Sequence, residues 1–335
     1  MNPITTWPAG QDPAGLRRWL QIGLGALWVL DAALQYQPYM FSRRFVTTII
    51  DPASSGNPAV IANPVTAAGH IMLHAPAAFN TAFATIQLAI GLGLLWRPTA
   101  RAALAGTIAW GTAVWLLGEG LGGILTGTAS PLTGAPGAAV LYVLLAILIW
   151  PPRAPGKHPA APGHIAAARP AASVAAASRL GPRWARLAWL ALWVSSAYFL
   201  LQPPVRTRGN LSSAITGMAA GEPSWLASTD QNLAHAVGSG GSVISAVLAI
   251  TFLLIGLAMY TPATTRPALV LAALTAAAIW ILTENLGGIL TGTGTDPDTG
   301  PLLILLAAAY WPLPPRRRET PAPVPASAVT GQPMA

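Results

Sequence analysis

The chain contains no cysteine. Disulfide bonds, thiolate metal ligands and cysteine nucleophiles are therefore excluded. Charge is scarce too: only 8% of the 335 residues are Asp, Glu, Lys or Arg, against about 25% in soluble domains. With 53% hydrophobic residues, the expected solvent is a lipid bilayer. No GxSxG, phosphate-binding loop or HExxH occurs. Met1 to Gly15 is polar, without an apolar stretch ending at a small-residue cleavage site, so no removable signal peptide is expected. The formal charge of +8 would suit nucleic acid. The basic residues, however, stand in short clusters between apolar runs, where they report membrane topology. No nucleic-acid partner is expected.

What is abundant is apolar sequence. Eight runs, at about residues 20–36, 78–96, 102–117, 137–150, 187–201, 243–260, 268–282 and 302–311, read as transmembrane helices of an all-α integral membrane protein. The last is short for a full crossing. Residues 65–74 read as a short amphipathic helix lying on the membrane. With the amino terminus in the cytoplasm, cytoplasmic segments hold Arg17, Arg18, Arg97, Arg101, the basic residues from Arg153 to Arg186, Arg266 and Arg316 to Arg318. Outer segments hold only Arg43, Arg44, Arg206 and Arg208. This bias predicts a multi-pass protein of the plasma (inner) membrane with both termini cytoplasmic.

The chain also repeats itself. Trp115-Leu-Leu-Gly-Glu119-Gly-Leu-Gly-Gly-Ile-Leu-Thr-Gly-Thr128 recurs as Trp280-Ile-Leu-Thr-Glu284-Asn-Leu-Gly-Gly-Ile-Leu-Thr-Gly-Thr293, an offset of 165 residues (284 − 119). At the same offset Ala26-Leu-Trp28-Val matches Ala191-Leu-Trp193-Val, Gln37 matches Gln202, Arg43 matches Arg208 and His70 matches His235. The expected architecture is eight transmembrane helices as two parallel four-helix repeats. Residues 1–152 form the first unit and 184–315 the second. A Pro/Ala-rich basic linker, 153–183, is expected to be flexible and cytoplasmic, and the tail, 316–335, to be disordered.

On the outer side each unit keeps a Gln, an Arg, a His and a Glu: Gln37, Arg43, His70 and Glu119, then Gln202, Arg208, His235 and Glu284. Two readings stand. In one, Glu pairs with Arg or His and pins the outer loops, because buried charge needs partners. In the other, the group is a ligand site, since ionisable residues at membrane depth are functional candidates. The loop after each Glu has GxxxG spacing, Gly123 with Gly127 and Gly288 with Gly292, which allows close helix contact. Thr126 and Thr291 offer hydroxyls to a ligand or to helix ends. Thr133, Asp298 or Thr299 is the expected N-cap of the helix that follows.

His70 and His74 would share a helix face, yet Ser239 stands where a second His74 would be, and no metal is assigned. Asp31 has no duplicate, because Ser196 occupies its place. A carboxylate in a span costs roughly 3 kcal/mol on insertion scales, so Asp31 is expected to be paired or protonated and to mark the first unit as the active one. Gln35 and Gln87 also lie only in that unit.

Each unit resembles a DoxX-type four-helix membrane domain. The resemblance rests on a first span with Gly23-Leu-Gly25-Ala-Leu-Trp28, a polar outer excursion with Pro, and a second span with Ile90-Gly-Leu-Gly93-Leu-Leu running into a short basic turn. It implies electron transfer to quinone, or support of a membrane or extracytoplasmic oxidoreductase partner, with quinone as the possible cofactor. It carries over no catalytic residue. The leading functional expectation is an outward-facing polar pocket binding a small solute, anion or quinone head group. In that reading the Arg/His pairs hold an anionic group while Glu119 and Glu284 orient them or shuttle a proton. The alternatives are a solute or proton-coupled transporter and a non-catalytic assembly subunit.

Overall fold

The computed structural model describes residues 13–151, 173–207, 209–218 and 221–313. Among these the chain is helical throughout and forms no strand. The first half contains α1 (Pro13–Leu34), the single turn α2 (Arg43–Phe45), α3 (Ala59–Met72), α4 (Pro76–Leu95), α5 (Ala100–Leu117) and α6 (Ala138–Leu148). The second contains α7 (Gly181–Leu201), α8 (Asn210–Met218), α9 (Ser224–Val237), α10 (Gly241–Leu257), α11 (Pro262–Leu282) and α12 (Thr299–Tyr310). All eight apolar runs are helical. Five helical segments are long and apolar enough to cross a membrane: Pro76–Leu95, Arg97–Leu117, Gly181–Leu201, Gly241–Tyr260 and Pro262–Leu282. The 22-residue α1 also carries Arg17, Arg18 and Asp31. With 11 and 12 residues, α6 and α12 span only about 17–18 Å at 1.5 Å per residue.

The long helices turn apolar side chains outward. On α10, Val243, Val247, Ile250, Leu254 and Leu257 form an exposed stripe, while the small or aromatic Ser245, Ala249, Phe252 and Gly256 face inward. Such a surface suits lipid contact rather than water. Exposed Trp19, Trp96, Trp184 and Tyr260 sit at helix ends, the place aromatic residues take at a membrane interface.

Packing follows close backbone approach. Helix α1 lies on α4, α7 on α10, α5 on α6 and α11 on α12, and α6 and α12 meet between the halves. At the α1–α4 crossing a Cβ on Gly91 would stand 2.9 Å from the Gly25 carbonyl oxygen, so only glycine lets these helices come so close. Arg18 donates to the carbonyls of Leu94, at 2.8 Å, and Leu95, closing the end of α4 with a cation as the helix dipole favours. The expected linker, 153–183, is described only from residue 173. There it is packed rather than loose: Val174 and Ala175 are fully buried, and the Ala175 amide bonds the Ala309 carbonyl at 2.9 Å. The tail, 316–335, lies outside the described residues.

Several helix boundaries fall at the sequence offset of 165. Helix α3 begins at Ala59 and ends at Met72, and α9 begins at Ser224 and ends at Val237. Helices α4 and α10 start at Pro76 and Gly241, and α5 and α11 end at Leu117 and Leu282.

Candidate functional site: a carboxylate-bearing cavity and two capping loops

The duplicated loops share one backbone path. After Glu119 the chain takes left-handed conformations at Leu121 (φ 61°) and Gly122 (φ 62°); after Glu284 it does so at Leu286 (φ 57°) and Gly287 (φ 74°). Neither 122 nor 287 has room for a side chain: a Cβ would strike the backbone of Pro136 or of Pro297. The GxxxG glycines make no helix–helix contact: a Cβ on Gly123 or Gly288 would meet the loop's own threonine at ordinary distance, and one on Gly127 nothing within 4 Å. Thr126 Oγ1 donates to the Gly123 carbonyl and Thr291 Oγ1 to the Gly288 carbonyl, both at 2.7 Å. These two threonines close their own loops.

Each loop folds back so that its glutamate meets the start of the next helix. Glu119 Oε1 accepts from the Ala139 amide of α6 at 3.0 Å, and Trp115 Nε1 donates to the Pro136 carbonyl at 2.8 Å. Glu284 accepts from the Thr299 hydroxyl and, at 3.2 Å, from the Gly300 amide of α12. A carboxylate beside the unpaired amides of a helix start is favoured by hydrogen bonding and by the dipole. The partners of Glu119 and Glu284 are therefore backbone amides and a hydroxyl, not the expected Arg and His. Asp298 is the N-cap of α12, receiving the Thr299 amide at 2.8 Å, while Gly137 rather than Thr133 precedes α6.

The two loops differ in one respect. Glu119 reaches an amide 20 residues on, Glu284 one 16 residues on. The second loop is shorter by four, so the last helices match at an offset of 161: Trp150-Pro151 corresponds to Trp311-Pro312.

Burial raises the pKa of these loop carboxyls. Glu119 is pushed up to about 8, by desolvation first and then by Asp296. Glu284 is pushed up to about 7 by desolvation, held back by the Thr299 and Gly300 donors. Desolvation also raises Asp296 and, with Glu284 and Asp296 adding, Asp298. A polar cavity of about 310 Å³ lies among Glu119, Thr133, Gly134, Gly287, Asp296 and Asp298, between the loops of the two halves.

A second cavity, about 350 Å³, is walled by α1, α3, α4, α5 and α6. Asp31 lines it at 1% exposure, Gln35 at 4% and Gln87 at 7%. Asp31 Oδ1, Gln35 Oε1 and Gln87 Oε1 have no hydrogen-bond partner. Asn80 fixes this end of α1 by donating to the Gln35 carbonyl at 2.7 Å. The remaining wall is apolar and aromatic, including Trp28, Phe45, Phe79, Phe83 and Trp110. Tyr142 packs on Trp28, ring centroids 4.3 Å apart, and turns its hydroxyl toward Asp31. Glu119 and Asp296 line both cavities.

The expected site residues thus divide. Asp31 and Glu119 come together at the larger cavity. Arg43 is exposed and donates to the Leu73 carbonyl at 2.9 Å; His70 and His235 are exposed on α3 and α9. Gln37 reaches across to the Gly294 carbonyl of the other half at 3.3 Å. Gln202 is buried with its Oε1 unbonded. Arg208 lies outside the described residues. No Arg or His lines the larger cavity, so the anion clamp expected from Arg43 and His70 is not assembled there. His74 Nδ1 lies 2.9 Å from the His70 carbonyl, which engages it with its own helix. Gln35, Gln87, Trp110, Tyr142 and Asp296 complete the cavity. The signal for Gln35 and Gln87 was their lack of duplication; Tyr142 and Trp110 carried none, and Asp296 reads first as a helix-start residue.

Comparison with protein-family models, curated proteins and solved structures returns no match. The several apolar helices with outward apolar faces mark the chain as compatible with an integral membrane protein.

Proposed function

We propose that the chain is a multi-pass protein of the plasma (inner) membrane whose first half binds a small, largely apolar ligand by its polar head. One observation carries this reading: in a cavity of about 350 Å³, Asp31, Gln35 and Gln87 keep unbonded acceptors among aromatic walls. Buried polar groups are ordinarily satisfied, and a mostly apolar cavity of this size with a few converging polar groups is the usual form of a small-molecule site. The reading includes two parallel four-helix units, eight crossings and cytoplasmic termini. Supporting it are the helix boundaries that recur at one offset and the clustering of basic residues and exposed tryptophans at the same helix ends. The short α6 and α12 then cross only together with their capped loops. The likeness to DoxX-type domains adds a quinone head group and a membrane oxidoreductase partner as candidates. An anion finds no cationic partner there, because the lining includes Asp31, Glu119 and Asp296 but no Lys, Arg or His.

The test fills the cavity with the side chain that the second half carries at the same position, Phe252. Binding of a short-chain quinol to the purified protein in nanodiscs is measured by calorimetry. Gln87→Phe is expected to weaken it by at least about tenfold, roughly 1.4 kcal/mol, with the melting temperature unchanged or higher. Equal binding by a folded Gln87→Phe protein sinks the reading. A second reading, a proton-coupled transporter, draws on Glu119 and Asp296 lining both cavities; uptake driven by a pH gradient in vesicles would favour it.

A further inference from the structure

Resting on that reading, we infer that the ligand is an organic cation, an ammonium head on an apolar body of roughly one fused-ring system. The carboxyl groups lining the cavity belong to Asp31, Glu119 and Asp296, and no Lys, Arg or His lines it. An acidic cluster alone would say little. Here Asp31 is 1% exposed and Gln87 7% exposed, and both keep an unbonded oxygen at the cavity. Glu119 Oε2 is unbonded as well. The unsatisfied oxygens are hydrogen-bond acceptors, and two of them belong to carboxyl groups. A carboxylate removed from water needs a counter-charge or donors to offset its lost hydration.

The aromatic wall makes the same selection. Trp28, Phe83 and Trp110 line the same cavity, with the Trp28 and Trp110 Nε1 donors unbonded, and ring faces attract a cation by up to about 2 kcal/mol when it is desolvated. The Tyr142 hydroxyl is a further unbonded group at this cavity. An anionic head would meet three acidic groups, and a neutral head would offer Asp31 no charge to pair with.

The experiment uses three probes with one body: (2-naphthylmethyl)trimethylammonium, 2-naphthylmethanol and 2-naphthoate. The fixed charge of the first keeps the probe's own titration out of the result. Binding to the full chain in zwitterionic nanodiscs is measured by calorimetry, for wild type and for Asp31→Asn. The cation is expected to bind at least about tenfold tighter than the alcohol, and 2-naphthoate not at all. Asp31→Asn is expected to abolish that preference by weakening the cation at least about tenfold. Should Asp31→Asn not fold, Asp31→Ser, the residue of the second half, replaces it, and the probe ranking on wild type decides alone. The alcohol or naphthoate binding as well as the cation, or cation binding indifferent to Asp31, overturns the cation assignment and leaves the ligand cavity standing. Failure of all three probes on wild type overturns both.

Discussion

The two halves keep the same loops and differ in what lies beneath them. In the first, Asp31, Gln87 and Tyr142 border a cavity of about 350 Å³. In the second, the matching positions are Ser196, Phe252 and Leu303, and the space among them is about 20 Å³. Leu200, fully buried, replaces Gln35. Glu119 and Glu284, retained in both, do the same structural task at the start of α6 and α12. The loop sequence and its backbone path recur in both halves, whereas Asp31, Gln35 and Gln87 belong to the first, and the halves meet where α6 contacts α12.

Moving the site's polarity into the filled half breaks that contrast most severely. Ser196→Asp places a carboxylate beside Phe252 and Leu303, where the Ser196 hydroxyl now bonds its own helix at Leu192. The expected loss is about 3 kcal/mol or more, read as a lower melting temperature in detergent, whereas Asp31→Ser costs little or stabilises. The loop glutamates come next. Glu284→Ala leaves the Thr299 hydroxyl and Gly300 amide unpaired and should cost about 2–3 kcal/mol. Glu119→Ala frees one amide and should cost about 1–2 kcal/mol. A reversed ranking in thermal melts would contradict the capping assignment.

A smaller effect is expected from pH. Glu119 and Glu284 titrate near 8 and 7 in the folded protein and near 4.3 in an unfolded chain. Between these values the folded state holds protons that the unfolded state has released. The resulting stability is complete below about 4.3 and is lost as pH rises through 7 to 8. Melting temperature should therefore fall between pH 5 and pH 9, and Glu119→Gln should flatten that fall; a rise across this range refutes the burial of these groups. Least affected should be the exposed histidines. His70→Ala and His235→Ala are expected to change stability by no more than about 0.5 kcal/mol, and a larger drop in either melt would restore them to a buried network.

Much of the framework was legible in the sequence because helices declare themselves through apolar runs and turn residues. The ends at Leu117 and Leu282 follow from the glutamate loops and the start at Pro76 from proline at a first turn, whereas α11 starts at Pro262, ahead of the apolar run at about 268, because its first turns carry Thr264, Thr265 and Arg266. The site was legible only by subtraction. Asp31, Gln35 and Gln87 stood out as polar residues without copies, yet the repeat pointed equally to Arg43, His70 and His235, which are on the surface. An exposed charge needs no partner other than water, and nothing in residue type distinguishes it from a buried one. The backbone partners of Glu119 and Glu284 were hidden for another reason: a helix start offers amides whatever its sequence.

The shorter second loop has a practical consequence for anyone wishing to transplant the cavity. Up to the loops, positions are exchanged by adding 165, as Asp31 with Ser196 and Gln87 with Phe252. Beyond them the interval is 161, and the phenol of Tyr142 belongs at Leu303. A graft counted by 165 throughout would install it at Ala307 instead. That is four residues further along the same helix, about 6 Å along its axis, so the ring would arrive at a tightly packed position and leave the transplanted carboxylate without its neighbour.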